Sequence, residues 1–376
     1  MSHEAAIAEA LRELATAEGF SAVGFAAVAP LEVEGGRLER WLADGFHADM
    51  DWMARSLPER LDPRRLLPGA ATVAVMALPC TPPRPPDPGG LTGQVARYAW
   101  GRDYHNVLGK RLRRIQRALA QRFPGLGSYA SVDSRPVFER AWAVRAGVGF
   151  SGRSTHQVVP GTGPGVLLAT LVLDAALPPT GPHAAGCGTC ARCLRACPTG
   201  ALVAPGRLDA RRCLSYLTIE HHGDLPEELR PALGRRVFGC DACQETCPHD
   251  RPRPADPAFQ GPRAWLDLPA LLVQDDDALD RALAGSPLRR ARATGLKRNA
   301  AVVLGNLGDP AALPALEHAL RHPAGLVRRH AAWAAAHCAG RALVETALSR
   351  EEDPGTAKSM QRALAEPQTG WVITTT

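Results

Sequence analysis

Eight of the ten cysteines in this chain lie between Cys187 and Cys247. The surrounding residues, 180–260, are rich in glycine and proline and show little apolar periodicity. Such a segment has too few apolar side chains to fold around a core of its own, so we expect a bound inorganic group to organise it. The other two cysteines, Cys80 and Cys338, stand alone in apolar surroundings and are predicted to be small buried side chains.

The first cysteine group has the spacing of the bacterial ferredoxin motif, Cys187-x2-Cys190-x2-Cys193-x3-Cys197-Pro198. In that motif the first three thiolates bind one cluster and the fourth binds a second cluster. A second group follows as Cys240-x2-Cys243-x3-Cys247-Pro248, and Cys213 supplies the ligand that this group lacks. The eight thiolates therefore predict two [4Fe-4S] clusters.

The crossed ferredoxin pattern also assigns the ligands of each cluster. The first cluster is predicted to bind Cys187, Cys190, Cys193 and Cys247, and the second to bind Cys197, Cys213, Cys240 and Cys243. The alternative is a pair of zinc sites with four thiolates each, because zinc sites also use C-x2-C spacing. Zinc does not require a tight triple followed by Cys-Pro, so the spacing favours iron-sulfur clusters.

The N-terminal sequence, the hydropathy and the cysteine content predict the cellular compartment of the protein. The chain has no run of about 18 apolar residues, and its N-terminus resembles an amphipathic helix more than a signal sequence. Cysteines kept reduced in the cytoplasm are usually metal ligands or catalytic groups. We therefore expect a soluble cytoplasmic protein that does not insert into a membrane.

With 376 residues the chain is long enough for two or three domains. Residues 4–18 and 103–121 have helical periodicity, whereas SAVGFAAV, ATVAVMAL and GVLLATLVL are short apolar runs typical of buried strands. We predict an α+β protein with a first domain at residues 1–178, a cluster-binding domain at 179–262 and a helical domain at 263–376. Two clusters in series imply an electron acceptor, so the first domain should hold a redox cofactor or a substrate.

Polar residues mark two candidate sites in the first domain. The segment ARYAWGRDYHNVL precedes a basic helix, and Asp133 follows a short strand-like segment. Asp133 lies where a general acid is expected, but it is equally placed to cap the next helix. His105 and His156 are isolated in the sequence, which favours a structural role for both. No G-x-G-x-x-G follows a strand, so a Rossmann dinucleotide site is not supported.

The C-terminal domain combines helical repeats with positive charge. The segment beginning at Arg298 is followed 31 residues later by a similar one beginning at Arg329, with alanines aligned where helices would pack, which is typical of a short HEAT-type array. Residues 281–350 hold eleven Lys/Arg against three Asp/Glu, a net charge of +8. This charge indicates either an anionic partner or simply a solvated basic face.

Together, the segments RYAWGRDYH, VDSRPVFERAWAVRAGVGFSGRS, CGTCARCLRACPTGAL, RCLSYLTIE and GCDACQETCP, with the Arg-rich helical tail, resemble the bacterial epoxyqueuosine reductases. The resemblance covers residues 5–350. It implies a nitroreductase-like α/β domain that binds cobalamin in its base-off form, a ferredoxin-like domain with two [4Fe-4S] clusters, and a HEAT-like domain. The implied activity is the two-electron reduction of epoxyqueuosine at the tRNA wobble position to queuosine, which is the last step of queuosine synthesis.

The resemblance also implies roles for individual residues. Asp133 matches the proton donor, and the corrin contacts would be Arg60, Ala96, Arg97, Tyr98, Asp133, Arg140, Gln157 and Ser215. The basic tail would bind tRNA phosphates through Arg289, Arg290, Arg292, Lys297, Arg298, Arg328 and Arg329. Tyr98 or Trp100 would be available to stack on the base. We expect a monomer that takes electrons from an external low-potential reductant and does not bind DNA.

Two other classes of protein remain open. A reductive dehalogenase-like enzyme uses the same pair of cofactors, but such proteins carry a twin-arginine signal and end near the cluster segment. A protein that only transfers electrons or handles cobalamin would need neither the tail nor Asp133.

Overall fold

The computed structural model describes residues 2–251 and 256–365. Residues 252–255 of the predicted cluster-binding domain and residues 366–376 of the predicted C-terminal domain lie outside the described residues. Its strands are β1 (Ala22–Ala27), β2 (Thr72–Pro79), β3 (Thr92–Val95), β4 (Ser128–Ser131), β5 (Phe150–Ser151), β6 (Gln157–Val158), β7 (Val166–Leu173), β8 (Leu202–Ala204), β9 (Arg207–Leu208), β10 (Arg236–Phe238) and β11 (Trp265–Asp267).

The α-helices are α1 (His3–Ala17), α2 (Glu32–Ala43), α3 (Leu57–Leu61), α4 (Tyr104–Arg122), α5 (Glu139–Arg145), α6 (Arg192–Arg195), α7 (Leu214–Ile219), α8 (Arg230–Leu233), α9 (Ala242–Glu245), α10 (Leu268–Val273), α11 (Asp276–Ala282), α12 (Arg292–Leu307), α13 (Leu313–Ala319), α14 (Gly325–His337), α15 (Arg341–Leu348) and α16 (Pro354–Ala365). Short 3₁₀ turns include Arg97–Ala99 and Pro287–Ala291. The described part of the chain contains no helix long and apolar enough to cross a membrane.

The chain forms two compact units, each assembled from several segments. The first unit consists of residues 1–83, 101–211 and 242–260, and the second of residues 84–100, 212–241 and 261–376. These units differ from the three consecutive domains expected from the sequence, because the cysteine-rich segment contributes residues to both of them.

The first unit is built on a four-stranded sheet in the order β1-β2-β7-β4. Every neighbouring pair in this sheet is antiparallel, which agrees with the α+β class. The three apolar runs of the sequence form β1, β2 and β7, and the two predicted helices form α1 and α4. β2 is buried over nearly its whole length, which explains why its sequence is continuously apolar rather than alternating.

Helix α5 is fixed to this sheet by a tightly packed core. Val73, Val75 and Ala77 lie two residues apart on one face of β2 and share a core cluster with Trp142 and Ala143 of α5. The end of α5 also comes very close to β1, since a Cβ placed on Gly24 would lie 1.9 Å from the carbonyl oxygen of Ala146. Only glycine permits this approach, which holds the C-terminal end of α5 against β1.

The second unit combines a small sheet with the C-terminal helices. Its three strands run in the order β10-β3-β11, with β10 parallel and β11 antiparallel to β3. The two repeat segments form α12 and α14, whose aligned alanines are buried as expected. A Cβ on Gly305 of α12 would lie 2.9 Å from the Cα of Ala334, so small residues allow these two helices to pack closely.

Candidate active site and cluster-binding segment

Asp133 lies at the apex of a strained turn between β4 and α5. Its backbone φ is +45°, a left-handed conformation that L-residues rarely adopt. The amide of Ser134 donates to the carbonyl oxygen of Val132 at 2.5 Å, which closes a three-residue turn around Asp133. Conformations of this kind cost on the order of 1–3 kcal/mol and persist only where neighbouring groups enforce them.

Three neighbouring side chains hold this turn. The Tyr104 hydroxyl donates to Asp133 Oδ2 at 2.5 Å, and His105 Nε2 lies 3.1 Å from the same oxygen. On the backbone side, the Asp133 amide donates to Glu139 Oε1 at 2.7 Å. Tyr104 and His105 open helix α4, and the Asp103 carboxylate caps that helix by accepting from the His105 amide at 2.9 Å.

His105 is held between two carboxylates. Its Nδ1 lies 2.8 Å from Asp103 Oδ1, while its Nε2 faces Asp133. Hydrogen bonds to Asp103 and then to Asp133 raise the pKa of His105 to about 9, and they outweigh burial, which acts in the opposite direction. At neutral pH His105 is therefore an imidazolium that donates to both carboxylates.

Asp133 is ionised in the protein. Burial acts to raise its pKa, but hydrogen bonds from His105 and Tyr104 and the charges of His105 and Arg140 together lower the pKa below its usual value. More than half of the Asp133 side chain, 57%, remains exposed, so a substrate can reach the carboxyl group directly. The arrangement is a solvent-accessible carboxylate with a charged proton donor bound to it.

A second carboxyl group, Glu139, lies behind the turn. Burial and then the charge of Asp133 raise the pKa of Glu139 to about 8, although the hydrogen bond from the Asp133 amide and the charges of Arg140 and His105 partly oppose this. Burial lowers the pKa of Arg60, and the charges of Asp133 and Glu139 act against that shift. Arg60 and Arg140, two of the predicted corrin contacts, thus lie close enough to Asp133 to interact with its charge.

Gln157 shows a feature expected of a residue that contacts a bound group. The side chain is buried, and its Nε2 donates to the carbonyl oxygen of Val148 at 2.5 Å. Its amide oxygen is buried without a hydrogen-bond partner among the described residues. A buried acceptor of this kind normally has a donor, so Gln157 fits a site whose donor comes from a bound molecule.

The remaining predicted corrin contacts belong to the second unit. Ala96 donates its amide to the Phe238 carbonyl at 2.8 Å, and the Arg97 amide donates to Asp241 Oδ2 at 2.8 Å. The Arg97 side chain is 2% exposed, whereas Tyr98 and Ser215 are half-buried. Trp100 is also buried, and its indole N–H donates to the Val95 carbonyl, so it is a core residue rather than a base-stacking platform.

The four cysteines predicted for the first cluster all lie in the first unit. Burial and then the charges of Cys187 and Cys190 act to raise the pKa of Cys193. Burial and the charge of Cys187 likewise raise the pKa of Cys247, although a backbone hydrogen bond at His249 opposes them. Thiols that disfavour each other's ionisation are neighbours, and iron relieves that repulsion, so the donor set fits an iron-sulfur cluster.

Hydrogen bonds around the cysteines also suit thiolate ligands. The Arg153 amide donates to Cys187 Sγ at 3.4 Å. For Cys197, burial acts to raise the pKa, but the backbone at Leu202, Thr199 and Ala201 and the Thr199 hydroxyl lower it overall. Of the other ligands predicted for the second cluster, Cys243 lies in the first unit, whereas Cys213 and Cys240 lie in the second. Cys80 and Cys338 are buried, as expected.

Two of the predicted tRNA contacts are buried and must be corrected. Arg298 is fully buried and donates to the carbonyl oxygens of Leu217, His221 and Gly223 at 2.7–2.8 Å. Lys297 is 2% exposed and pairs with Asp276 at 2.6 Å. Both side chains stabilise the second unit, so neither is available to a phosphate.

The other predicted contacts are accessible to different degrees. Arg289 and Arg292 are exposed, and Arg290 is exposed while paired with Glu220 at 2.7 Å. Arg328 forms a two-point pair with Glu351 and is largely buried, whereas Arg329 pairs with Asp224 at 2.9 Å. The turn Pro287–Ala291 and the start of α12 therefore carry the most accessible part of the predicted basic surface.

Three residues of the Asp133 site are not predicted from the sequence to have a functional role. His105 was expected to be structural, Tyr104 was noted only as part of a polar segment, and Glu139 was not singled out. Asp103 and His105 two residues apart at the start of a helix were the available signal, since capping by Asp103 places the imidazole beside it. Nothing in the sequence indicates that this helix start lies against the Asp133 turn.

Three protein-family models match the chain. Residues 186–250 match the 4Fe-4S double cluster binding domain, residues 60–134 match epoxyqueuosine reductase QueG, DUF1730, and residues 296–322 match the PBS lyase HEAT-like repeat. The first of these favours iron-sulfur clusters over zinc sites. The second includes Asp133.

Whole-chain comparisons agree with these matches. The epoxyqueuosine reductase of Xanthomonas campestris pv. campestris is 40% identical over 339 residues, which covers 87% of this chain and 94% of the relative. A crystal structure of epoxyqueuosine reductase with a tRNA-Tyr epoxyqueuosine-modified stem loop is 29% identical, with a TM-score of 0.90 and coverage of 96% and 99%. The Bacillus subtilis epoxyqueuosine reductase, in a structure whose aspartate-bearing catalytic loop is swung out of the active site, has the same identity, TM-score and coverage.

The elevated pKa of His105 predicts a specific dependence of stability on pH. A histidine whose pKa is raised from 6.5 to about 9 stabilises the fold fully below pH 6.5, and this contribution is lost as the pH rises through about 9. The stability advantage of the wild type over His105→Gln should therefore be largest near pH 6 and should shrink towards pH 10. Thermal unfolding of both proteins across this range measures the advantage, and a constant difference would contradict the ion-pair arrangement.

Proposed function

This chain belongs to the epoxyqueuosine reductase family, and we propose that the Asp133 turn is the place where the epoxide loses its oxygen. The chain is an epoxyqueuosine reductase, an oxidoreductase that acts on epoxyqueuosine in tRNA. The observation that carries the proposal is the exposed Asp133 carboxyl group bonded to Tyr104 and His105. The Bacillus subtilis epoxyqueuosine reductase, which has a similar fold, has a catalytic loop that carries an aspartate, and this supports the proposal.

The reaction requires protons as well as electrons. Converting the epoxide to an alkene takes two electrons and two protons and releases the oxygen as water. An epoxide oxygen leaves poorly as an alkoxide, so a positioned acid lowers the barrier. Because Asp133 is ionised in the free protein, the proton reaches it from the His105 imidazolium, whose Nε2 lies 3.1 Å from Oδ2.

Cobalamin is the proposed cofactor that supplies the electrons to the epoxide, from a low-valent cobalt in the base-off form. The proposed contacts are Arg60, Ala96, Arg97, Tyr98, Asp133, Arg140, Gln157 and Ser215. Gln157 supports this assignment, because its buried amide oxygen lacks a donor among the described residues and the corrin ring carries amide side chains that provide one. Arg60 and Arg140, which interact with the charge of Asp133, would contact the part of the corrin that lies beside that residue.

The chain binds iron-sulfur clusters through its double-cluster domain. We assign one cluster to Cys187, Cys190, Cys193 and Cys247, and the other to Cys197, Cys213, Cys240 and Cys243. The charges of Cys187 and Cys190 act on Cys193 and the charge of Cys187 acts on Cys247, and this proximity supports the first assignment. An external low-potential reductant would feed electrons into these clusters.

The basic surface of the second unit is proposed to bind tRNA phosphates. Arg289, Arg290 and Arg292 are its most accessible residues. Arg329 and the more buried Arg328, on α14, belong to the same predicted surface. Phosphate contacts of this kind give affinity that depends on salt but not on base sequence. A splayed wobble base would provide specificity.

Replacement of Asp133 tests the proposed acid. Asp133→Asn keeps the size of the side chain but removes the acid, so single-turnover conversion of epoxyqueuosine to queuosine should slow by about 10²- to 10⁴-fold. Nucleoside analysis of the tRNA measures the rate, with iron content, cobalamin content and tRNA affinity expected to match wild type. Asp277→Asn, an exposed carboxylate on α11, serves as the control. A wild-type rate in Asp133→Asn would rule out the acid role.

Iron content tests the cluster ligands. Two clusters of four irons give about eight irons per chain, and removal of one ligand should lower this to about four in either Cys193→Ser or Cys213→Ser. Cys338→Ser removes a buried thiol outside the cysteine-rich segment and should retain about eight. Stoichiometric zinc in anaerobically purified protein, or unchanged iron in both ligand variants, would contradict the assignment.

Salt dependence tests the basic surface. In the triple variant Arg289→Ala, Arg290→Ala, Arg292→Ala, the slope of log affinity against log salt for tRNA should fall by up to about three, roughly one for each arginine that no longer neutralises a phosphate. Arg37→Ala, an exposed arginine of α2, is the matched control and should leave the slope unchanged. A wild-type slope in the triple variant would exclude this surface.

A further inference from the structure

We propose that Glu139 is a positioning residue for the active site, because its carboxyl oxygen accepts the Asp133 amide hydrogen and keeps the turn closed. In this conformation the Asp133 carboxyl group faces Tyr104 and His105. The inference rests on the acid role proposed for Asp133 and assigns a function to a side chain that does not itself contact the reacting atoms.

The geometry of the turn shows why a further contact is needed to keep it closed. Asp133 has φ +45°, and the bond between Ser134 and Val132 closes a tight turn that is strained for a non-glycine residue. Two of the contacts at this residue reach its side chain from α4. The bond from the Asp133 amide to Glu139, at 2.7 Å, is the contact that acts directly on the backbone.

Glu139 is well placed to act as a fixed point. It is the first residue of α5, and that helix is anchored to the sheet by the buried Trp142 and Ala143 and by the close approach of Ala146 to Gly24. Ser134 and Arg135, between the turn and the helix, are exposed. The hydrogen bond therefore ties an exposed segment to a helix that is packed against the core.

The charge state of Glu139 suits this role. The groups that act on it are Asp133, Arg140 and His105, and Arg60 senses both carboxyl groups. With a pKa of about 8, Glu139 is neutral at pH 7 and accepts a hydrogen bond without adding a second negative charge beside Asp133. The hydrogen bond from the Asp133 amide does not depend on that proton, because both the neutral and the ionised carboxyl group have an oxygen that accepts it.

Hydrogen exchange of the full-length, cofactor-loaded enzyme tests the proposal. Peptides that cover residues 132–138 report the closure of the turn, and the rest of the chain is the internal reference. In Glu139→Ala this segment should exchange about tenfold faster, which is the scale of one missing hydrogen bond. Single-turnover reduction should slow by a similar factor while tRNA affinity is unchanged.

Two further variants make the test specific. Glu139→Gln keeps an acceptor for the Asp133 amide and cannot ionise, so it should protect residues 132–138 as wild type does. Glu32→Ala removes the exposed first residue of α2 and is the matched control, with no effect expected at residues 132–138.

Several outcomes would overturn the proposal. These are wild-type exchange and turnover in Glu139→Ala, faster exchange spread over the whole chain, or a Glu139→Gln variant as fast in exchange as Glu139→Ala. Asp133→Asn separates this proposal from the acid role, since it removes the acid but leaves the hydrogen bond from the backbone amide of residue 133 to Glu139 in place. Full turnover in Asp133→Asn would remove the acid role, whereas the exchange of residues 132–138 would still decide the role of Glu139.

Discussion

The approach of helix α5 to strand β1 at Gly24 fixes the frame on which the Asp133 site is built. Backbone packs against backbone there, and Trp142 fills the core on the same side of the sheet. With α5 packed against the sheet, its first residue, Glu139, accepts a hydrogen bond from the Asp133 amide in the segment that joins β4 to the helix. The Asp133 turn is thus connected through α5 to packing at the other end of that helix.

The sequence was most informative where chemistry imposes strict spacing. Thiolates that share clusters must recur at short fixed intervals, so the cysteine motifs predicted the double-cluster domain without knowledge of the fold. Continuous apolar runs predicted β1, β2 and β7 for a similar reason, since a strand buried on both faces tolerates few polar residues. The small residues of α12 and α14 likewise indicated closely packed helices.

The sequence was least informative about the direction in which charged side chains point and the groups that they contact. Lys297 and Arg298 look like surface charges in a basic run, yet they lie on the inner face of α12 and bond carbonyl oxygens and Asp276. His105 looked isolated because its partner Asp133 is 28 residues away and meets it only through the fold. Charge composition can be counted from a sequence, but the face on which each charge lies depends on packing.

The arrangement of protons in the site matches the demands of the reaction. Two protons are consumed for each epoxide reduced, and two groups beside Asp133, His105 and Glu139, are protonated at neutral pH. Of these two groups, His105 contacts the Asp133 carboxylate, beside the Tyr104 hydroxyl, whereas Glu139 accepts from the backbone amide. In the proposed mechanism, one proton is held on the imidazole beside Asp133, and solvent can supply the second through the exposed side of the Asp133 carboxyl group. A buried, fully enclosed acid would give up its single proton and then have no route by which to recover it.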